Sequence, residues 1–152
     1  MPEGVAAVLL AAGVWAGAPR RAGSLVAEAR QRLQAGAPRE AVLAALERAE
    51  RADRRTIEAK VIRASVLGGA GDFAAAGRQY AEALQLNPGD VMLRLAYADA
   101  LRRNGQQPAA REQLSIALAW NDQLPPREPR RLPPQLEAAI RREVDAASGQ
   151  TK

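Results

Sequence analysis

The sequence predicts an all-α protein, a solenoid of stacked helical hairpins closed by a final helix. Three observations predict it. Thirty-five of the 152 residues are alanine and only five are aromatic, which favours helix over strand. The chain resembles itself at a period of 34 residues. Glycine, proline, asparagine and aspartate gather where each helix of a hairpin must stop.

The chain opens on an apolar segment, residues 1–22. Within it residues 4–18, GVAAVLLAAGVWAGA, carry no charge. As a helix that run spans about 22 Å, short of the roughly 30 Å hydrocarbon core of a bilayer. Three readings stand side by side. The run is a membrane anchor, with Arg20 and Arg21 held on the cytoplasmic side. It is a signal peptide cut near Ala16-Gly17-Ala18, although no basic residue precedes it. Or it is a helix docked on the first repeat.

Residues 23–124 divide into three units of 34. The second unit, 57–90, and the third, 91–124, align without gaps. Ala64 pairs with Ala98, Leu67 with Leu101, Gly71 with Gly105, Ala76 with Ala110, Tyr80 with Leu114, Ala83 with Ala117 and Leu84 with Leu118. The small residues let two helices approach at a crossing point, and Tyr80 fills the space beside them. Gly71 can take the positive φ of a helix C-cap, and Asp72 can cap the helix that follows. Asn87-Pro88-Gly89-Asp90 ends that helix, since proline cannot continue it. The unit at 23–56 is degenerate: Ala49 and Asp53 keep the period with Ala83 and Asn87, Ala41 is one residue out of register with Ala76, and Arg54 stands in place of a proline.

Residues 125–134, PPREPRRLPP, form a proline-rich linker expected to run extended or polyproline-like, with PxxP spacing at Pro126 and Pro129. Residues 135–147 are expected to be a capping helix, with Leu136, Ile140 and Val144 on one stripe. Residues 148–152 read as a frayed tail.

The spacing of Ala64, Leu67, Ala76, Tyr80, Ala83 and Pro88 resembles the tetratricopeptide repeat family. The resemblance implies a right-handed solenoid and a protein or peptide held in a concave groove. The positions that line the groove in that family fall here on Glu58, Val61, Ser65, Gly68 and Gly69, then on Met92, Leu95, Asp99, Arg102 and Arg103. Helical spacing independently sets Met92, Leu95, Asp99 and Arg102 on one face. The alternative is that Val61 and Leu95 are core and the arginines merely solvated. Two departures stand out. Lys60 and Arg63, then Arg94 and Tyr97, occupy positions that are tryptophan and leucine in the family. The residues that clamp a C-terminal carboxylate in some members are replaced by Ala27, Gln31, Ile62, Met92 and Ala96.

A weaker resemblance covers the layout. The run SIALAWNDQL followed by LPPREPRRLPPQLEAAIRREV is similar to the repeat-bearing C-terminal region of O-antigen ligase-type bacterial membrane proteins. It implies an accessory module in cell-envelope polysaccharide assembly. Preference for arginine and alanine over lysine and isoleucine suits a bacterial genome rich in G and C. The expected location is the cytoplasm or the cytoplasmic side of the inner membrane, or the periplasm if the first segment is a signal.

Composition removes other functions. With no histidine and no cysteine, the commonest general base, metal ligand and thiolate nucleophile are missing. Gly68-Gly69-Ala70-Gly71 lacks the lysine and hydroxyl residue of a phosphate loop. Ser24, Ser65, Ser115 and Ser148 have no base to activate them. Carboxylates such as Asp53 and Glu58 suit a charged helix surface. The sequence therefore predicts no catalytic, metal or cofactor-binding residue. The net charge of +5 raises nucleic acid as a rival partner, but the basic residues are spread and no run of five like charges occurs.

Overall fold

The structure, a computed structural model, describes residues 20–148. The apolar run at 4–18 and residues 149–152 lie outside the described residues. Seven helices and no strand occur among the described residues: α1 (Arg20–Gln34), α2 (Arg39–Ala52), α3 (Ile57–Gly69), α4 (Phe73–Leu86), α5 (Val91–Arg103), α6 (Gln107–Gln123) and α7 (Pro134–Ser148). They pack as three hairpins, α1 with α2, α3 with α4 and α5 with α6, each stacked on the next, with α7 against α6. None of these helices is long and apolar enough to cross a membrane.

The period of the sequence is the period of burial. Ala49, Ala83 and Ala117, spaced by 34, are all 0% exposed, one on the second helix of each hairpin. A methyl group is all these crossings admit, so the neighbouring helices approach closely. The hairpin turns follow the same logic. Gly36, Gly71 and Gly105 have φ of +68°, +84° and +78°, a conformation that a Cβ disfavours. Gly36 lies 35 residues before Gly71, one more than the period. The extra residue sits in the first turn, where Ala37 and Pro38 separate Gly36 from the start of α2, whereas only Asp72 separates Gly71 from α4. From Arg39 on, α2 keeps the period, so the residue equivalent to Ala76 is Val42, 0% exposed, and not Ala41; the degenerate unit folds as a full hairpin.

Aspartate side chains cap α4 and α5. Asp72 accepts the Ala75 amide at 3.0 Å, and Asp90 accepts the Leu93 amide at 2.9 Å. Each satisfies an amide that the first turn of a helix leaves unpaired.

The core forms three linked clusters. Val26, Ala29, Val42, Ala45, Leu46 and Ala49 meet Ala59 and Ile62 of α3. Val61 and Ala64, on the other side of α3, meet Tyr80, Ala83, Leu84 and the Leu93, Ala96, Ala100 stripe of α5. Val91, Leu95 and Ala98, from a further side of α5, meet Leu114, Ala117, Leu118, Leu132 and Ile140. The first helix of each later hairpin is thus buried on two sides, which leaves only a narrow strip of it free.

Of the positions that depart from the family pattern, Lys60 and Arg63 are charge-paired, Arg94 meets neutral acceptors, and Tyr97 packs on the core. Lys60 meets Glu82 of α4 at 2.6 Å and Glu50 of α2 at 3.8 Å, and Arg63 meets Glu50 at 2.7 Å. Arg94 donates to Gln113 at 2.7 Å and to the Pro88 carbonyl at 2.6 Å. The aliphatic stems fill the volume while the charges find partners across three helices.

The linker departs from the expected extended form. Glu128 N–H donates to the Pro125 carbonyl at 3.0 Å and Arg131 N–H to the Glu128 carbonyl at 2.9 Å, two successive turns. Proline presets the φ of a turn as readily as that of an extended chain. The turns fold the segment back so that Leu132, 2% exposed, enters the core. Ile140 is buried beside it, with Leu136 and Val144 packed around, so α7 caps the last hairpin.

Candidate functional site

A binding site must be sought on the strip that the first helices leave open. The residues at the ninth position of each repeat, Gln31, Ser65 and Asp99, recur at 34-residue spacing along α1, α3 and α5. Gln31 is exposed and the other two are half-buried. Polar bonds tie these helices together. Arg30 of α1 forms an ion pair with Glu58 of α3. The Ser65 hydroxyl of α3 lies 3.5 Å from the Tyr80 hydroxyl of α4. Burial holds Tyr80 above the ordinary tyrosine range, Ser65 opposes this, and the nearby Asp99 charge adds to it. Tyr80 is therefore a neutral phenol at physiological pH, a hydrogen-bonding floor between α3 and α5.

Asp99 also organises the basic end of the strip. Its two carboxylate oxygens accept from Arg102 at 2.5 Å and Arg103 at 2.8 Å, three and four residues on. Arg103 in turn lies over the Phe73 ring, 5.6 Å from its centroid. Asp99 is 22% exposed and each arginine 45%, so the carboxylate sits below and the guanidinium groups above.

The structure separates the residues expected to line a groove into two groups. Val61 and Leu95 are 2% and 4% exposed and belong to core clusters, Val61 against α4 and α5, Leu95 against α6 and α7. They are unavailable to a partner, because stacking of the next hairpin or of α7 closes over that position. Met92 is half-buried against the same cluster as Leu95. Glu58 is 18% exposed and engaged by Arg30. Ser65, Asp99, Arg102 and Arg103 come together near Tyr80 and Phe73. The aromatic pair was not anticipated from the sequence. Gln31 replaces a clamp residue of the family, and its 34-residue spacing with Ser65 and Asp99 is the signal that places it on this strip.

Among the described residues no group of three or more acidic residues could hold a metal ion. The arrangement can donate and accept hydrogen bonds and offer paired guanidinium groups. It holds no activated nucleophile.

The sequence model of the tetratricopeptide repeat family matches residues 69–127, from the end of α3 through α6. Residues 69–127 belong to the tetratricopeptide repeat family. No curated protein matches the chain in sequence. Among solved structures, the chain is similar to the type III secretion translocator chaperone SycD of Yersinia enterocolitica in an alternative dimer. The TM-score is 0.67 at 14% identity, with 89% of this chain and 97% of that one covered. At that identity the likeness is one of fold. It extends the tetratricopeptide-like helical-hairpin architecture beyond the matched segment.

Proposed function

We propose that this protein is a non-catalytic scaffold that holds a segment of a partner protein, as extended peptide or short helix, along the strip of α1, α3 and α5. The observation that carries this reading is the continuity of the strip. Arg30–Glu58 joins α1 to α3, the Ser65 hydroxyl of α3 lies beside the Tyr80 hydroxyl of α4, and the Asp99 charge on α5 acts on that same phenol, so the open positions offer polar groups from α1 to α5. A track of side-chain donors and acceptors beside a packed core suits a peptide backbone with unpaired amides and carbonyls. Membership of residues 69–127 in an interaction-repeat family supports it.

Photo-crosslinking tests it. A benzoylphenylalanine at Gln31 of α1 and another at Gly69 of α3, where an added Cβ meets nothing within 4 Å, should give adducts with one and the same partner. The same probe at Ser115, exposed on α6, should give none. Adducts from Ser115 alone would sink the assignment.

A second reading rests on the apolar run at 4–18: a membrane-associated accessory module in bacterial envelope polysaccharide assembly, anchored through that run. The outward positions of α1 include Ala27, Gln31 and Gln34, a surface that offers little to an apolar helix docked on it. Vesicle flotation of the whole chain against a form starting at Ala22 decides this. Flotation of both or of neither would remove the anchor.

A further inference from the structure

We infer that Arg102 and Arg103 form a preorganised receptor for an acidic side chain of the partner segment, with Asp99 as the residue that positions them. This rests on the partner lying along the first-helix strip. Three features carry it.

The first is the tether. Two adjacent arginines on a helix end ordinarily sample many rotamers, and ordering each has an entropic cost. Here Asp99 engages Arg102 through one terminal nitrogen and Arg103 through Nε, and Phe73 supports the second guanidinium. Each guanidinium carries five N–H donors, so most remain for a ligand. A carboxylate arriving here meets donors already ordered.

The second is the charge balance. One half-buried carboxylate against two more exposed guanidinium groups leaves a net charge of about +1 at the surface. A ligand of opposite sign and single charge, an aspartate or glutamate side chain, completes the pair of arginines. The other charges of the strip are spent, since Glu58 is held by Arg30.

The third is access. The residues one repeat earlier, at the positions of Arg102 and Arg103, are Gly68 and Gly69. An added Cβ at Gly69 meets nothing within 4 Å, and at Gly68 only the Ala76 methyl at 3.7 Å. At the two positions equivalent to the arginines, α3 carries no side chain, although glycine weakens a helix relative to alanine.

The test uses the full chain with a blocked hexaglutamate peptide as probe, hexalysine as the opposite charge, and a single-stranded oligothymidylate as a second anion. Hexaglutamate should shift the Arg102 and Arg103 Nε–H signals in NMR titrations, and the shifts should fade as salt rises. In the Arg102→Gln/Arg103→Gln variant the apparent affinity should fall about tenfold or more, the size of losing a charged hydrogen-bond partner. Arg102→Gln alone leaves Arg103 on Phe73 and Asp99, and should show part of the loss with helicity intact. Unmoved arginine signals, or equal affinity in both variants, would overturn the receptor. Tighter binding of oligothymidylate through the same arginines would assign the site to nucleic acid and overturn it likewise. Loss of hexaglutamate binding with the Gln31 and Gly69 adducts retained rejects the receptor alone. Intact hexaglutamate binding without those adducts rejects the scaffold reading alone.

Discussion

The side chain of Asn121 accepts the Leu132 amide at 2.7 Å across an eleven-residue gap, and it is 0% exposed. Its amide nitrogen donates to Glu137 at 3.0 Å. One buried side chain near the end of α6 thus fixes both the end of the linker and the first turn of α7. Glu137 is in turn held by Arg141, which reaches Asp122 as well. The cap is attached by a polar clasp as much as by its apolar stripe.

Replacing Asn121 by alanine leaves the Leu132 amide and one Glu137 oxygen without this partner. Each buried unpaired group costs about 1–3 kcal/mol. Urea unfolding should show a loss of that order, and limited proteolysis should cut within residues 125–134 first. Leu132→Ala should cost about 2–5 kcal/mol by emptying its core site.

The clasp predicts a response to acid. The hydrogen bond from Arg141, with support from Asn121 and Arg131, holds Glu137 below the ordinary glutamate value of 4.5. Its folded pKa is lowered, so its stabilisation is complete above about pH 4.5 and is lost as pH falls through the folded value. Asp90 has the opposite sign. Burial pushes it above 3.8, outweighing the Leu93 and Met92 amides, so acidification through its folded value relieves a cost. Unfolding curves for Glu137→Gln should lose part of the acid-side fall. Curves for Asp90→Asn, which keeps the cap, should lose the relief.

The two aspartate caps are separable. Asp72→Ala and Asp90→Ala should each lower stability by about 1 kcal/mol, measured by urea midpoints at neutral pH. Asn at either position should restore most of it.

The positive-φ glycines should behave differently from the helical one. At Gly71 and Gly105 nothing lies within 4 Å of an added Cβ, so alanine there is penalised by backbone strain alone, about 1 kcal/mol. At Gly69, in open space at the end of α3, alanine should stabilise by up to about 1 kcal/mol. Thermal unfolding of the three variants checks the reversal of sign.

The buried alanine column should refuse larger side chains. Ala83→Leu and Ala117→Leu should each cost about 1–3 kcal/mol by overpacking. Ala119→Leu, on the exposed side of α6, should stay within about 0.5 kcal/mol.

Much of the fold was legible because the repeat writes each structural demand three times. Ala49, Ala83 and Ala117 declared the crossings, and Gly71 and Gly105 the turns. The linker was misread because proline suits a turn and an extended chain alike, and only the burial of Leu132 chooses. The candidate strip was half legible. Val61 and Leu95 fall on the same helical face as Ser65 and Asp99, and helical spacing does not reveal which part of that face the next element covers.

The sequence by itself determined the helices, their period, their caps and the absence of histidine and cysteine chemistry. These are local matters, set by propensity, turn geometry and composition, and each leaves its mark within a few residues. Only the tertiary structure decided that Val61 and Leu95 are core, that Lys60 and Arg63 are held by Glu82 and Glu50, and that Asp99 lies beneath two arginines, one of them over the Phe73 ring. Those outcomes depend on which faces meet across helices, and burial is a property of the assembled stack.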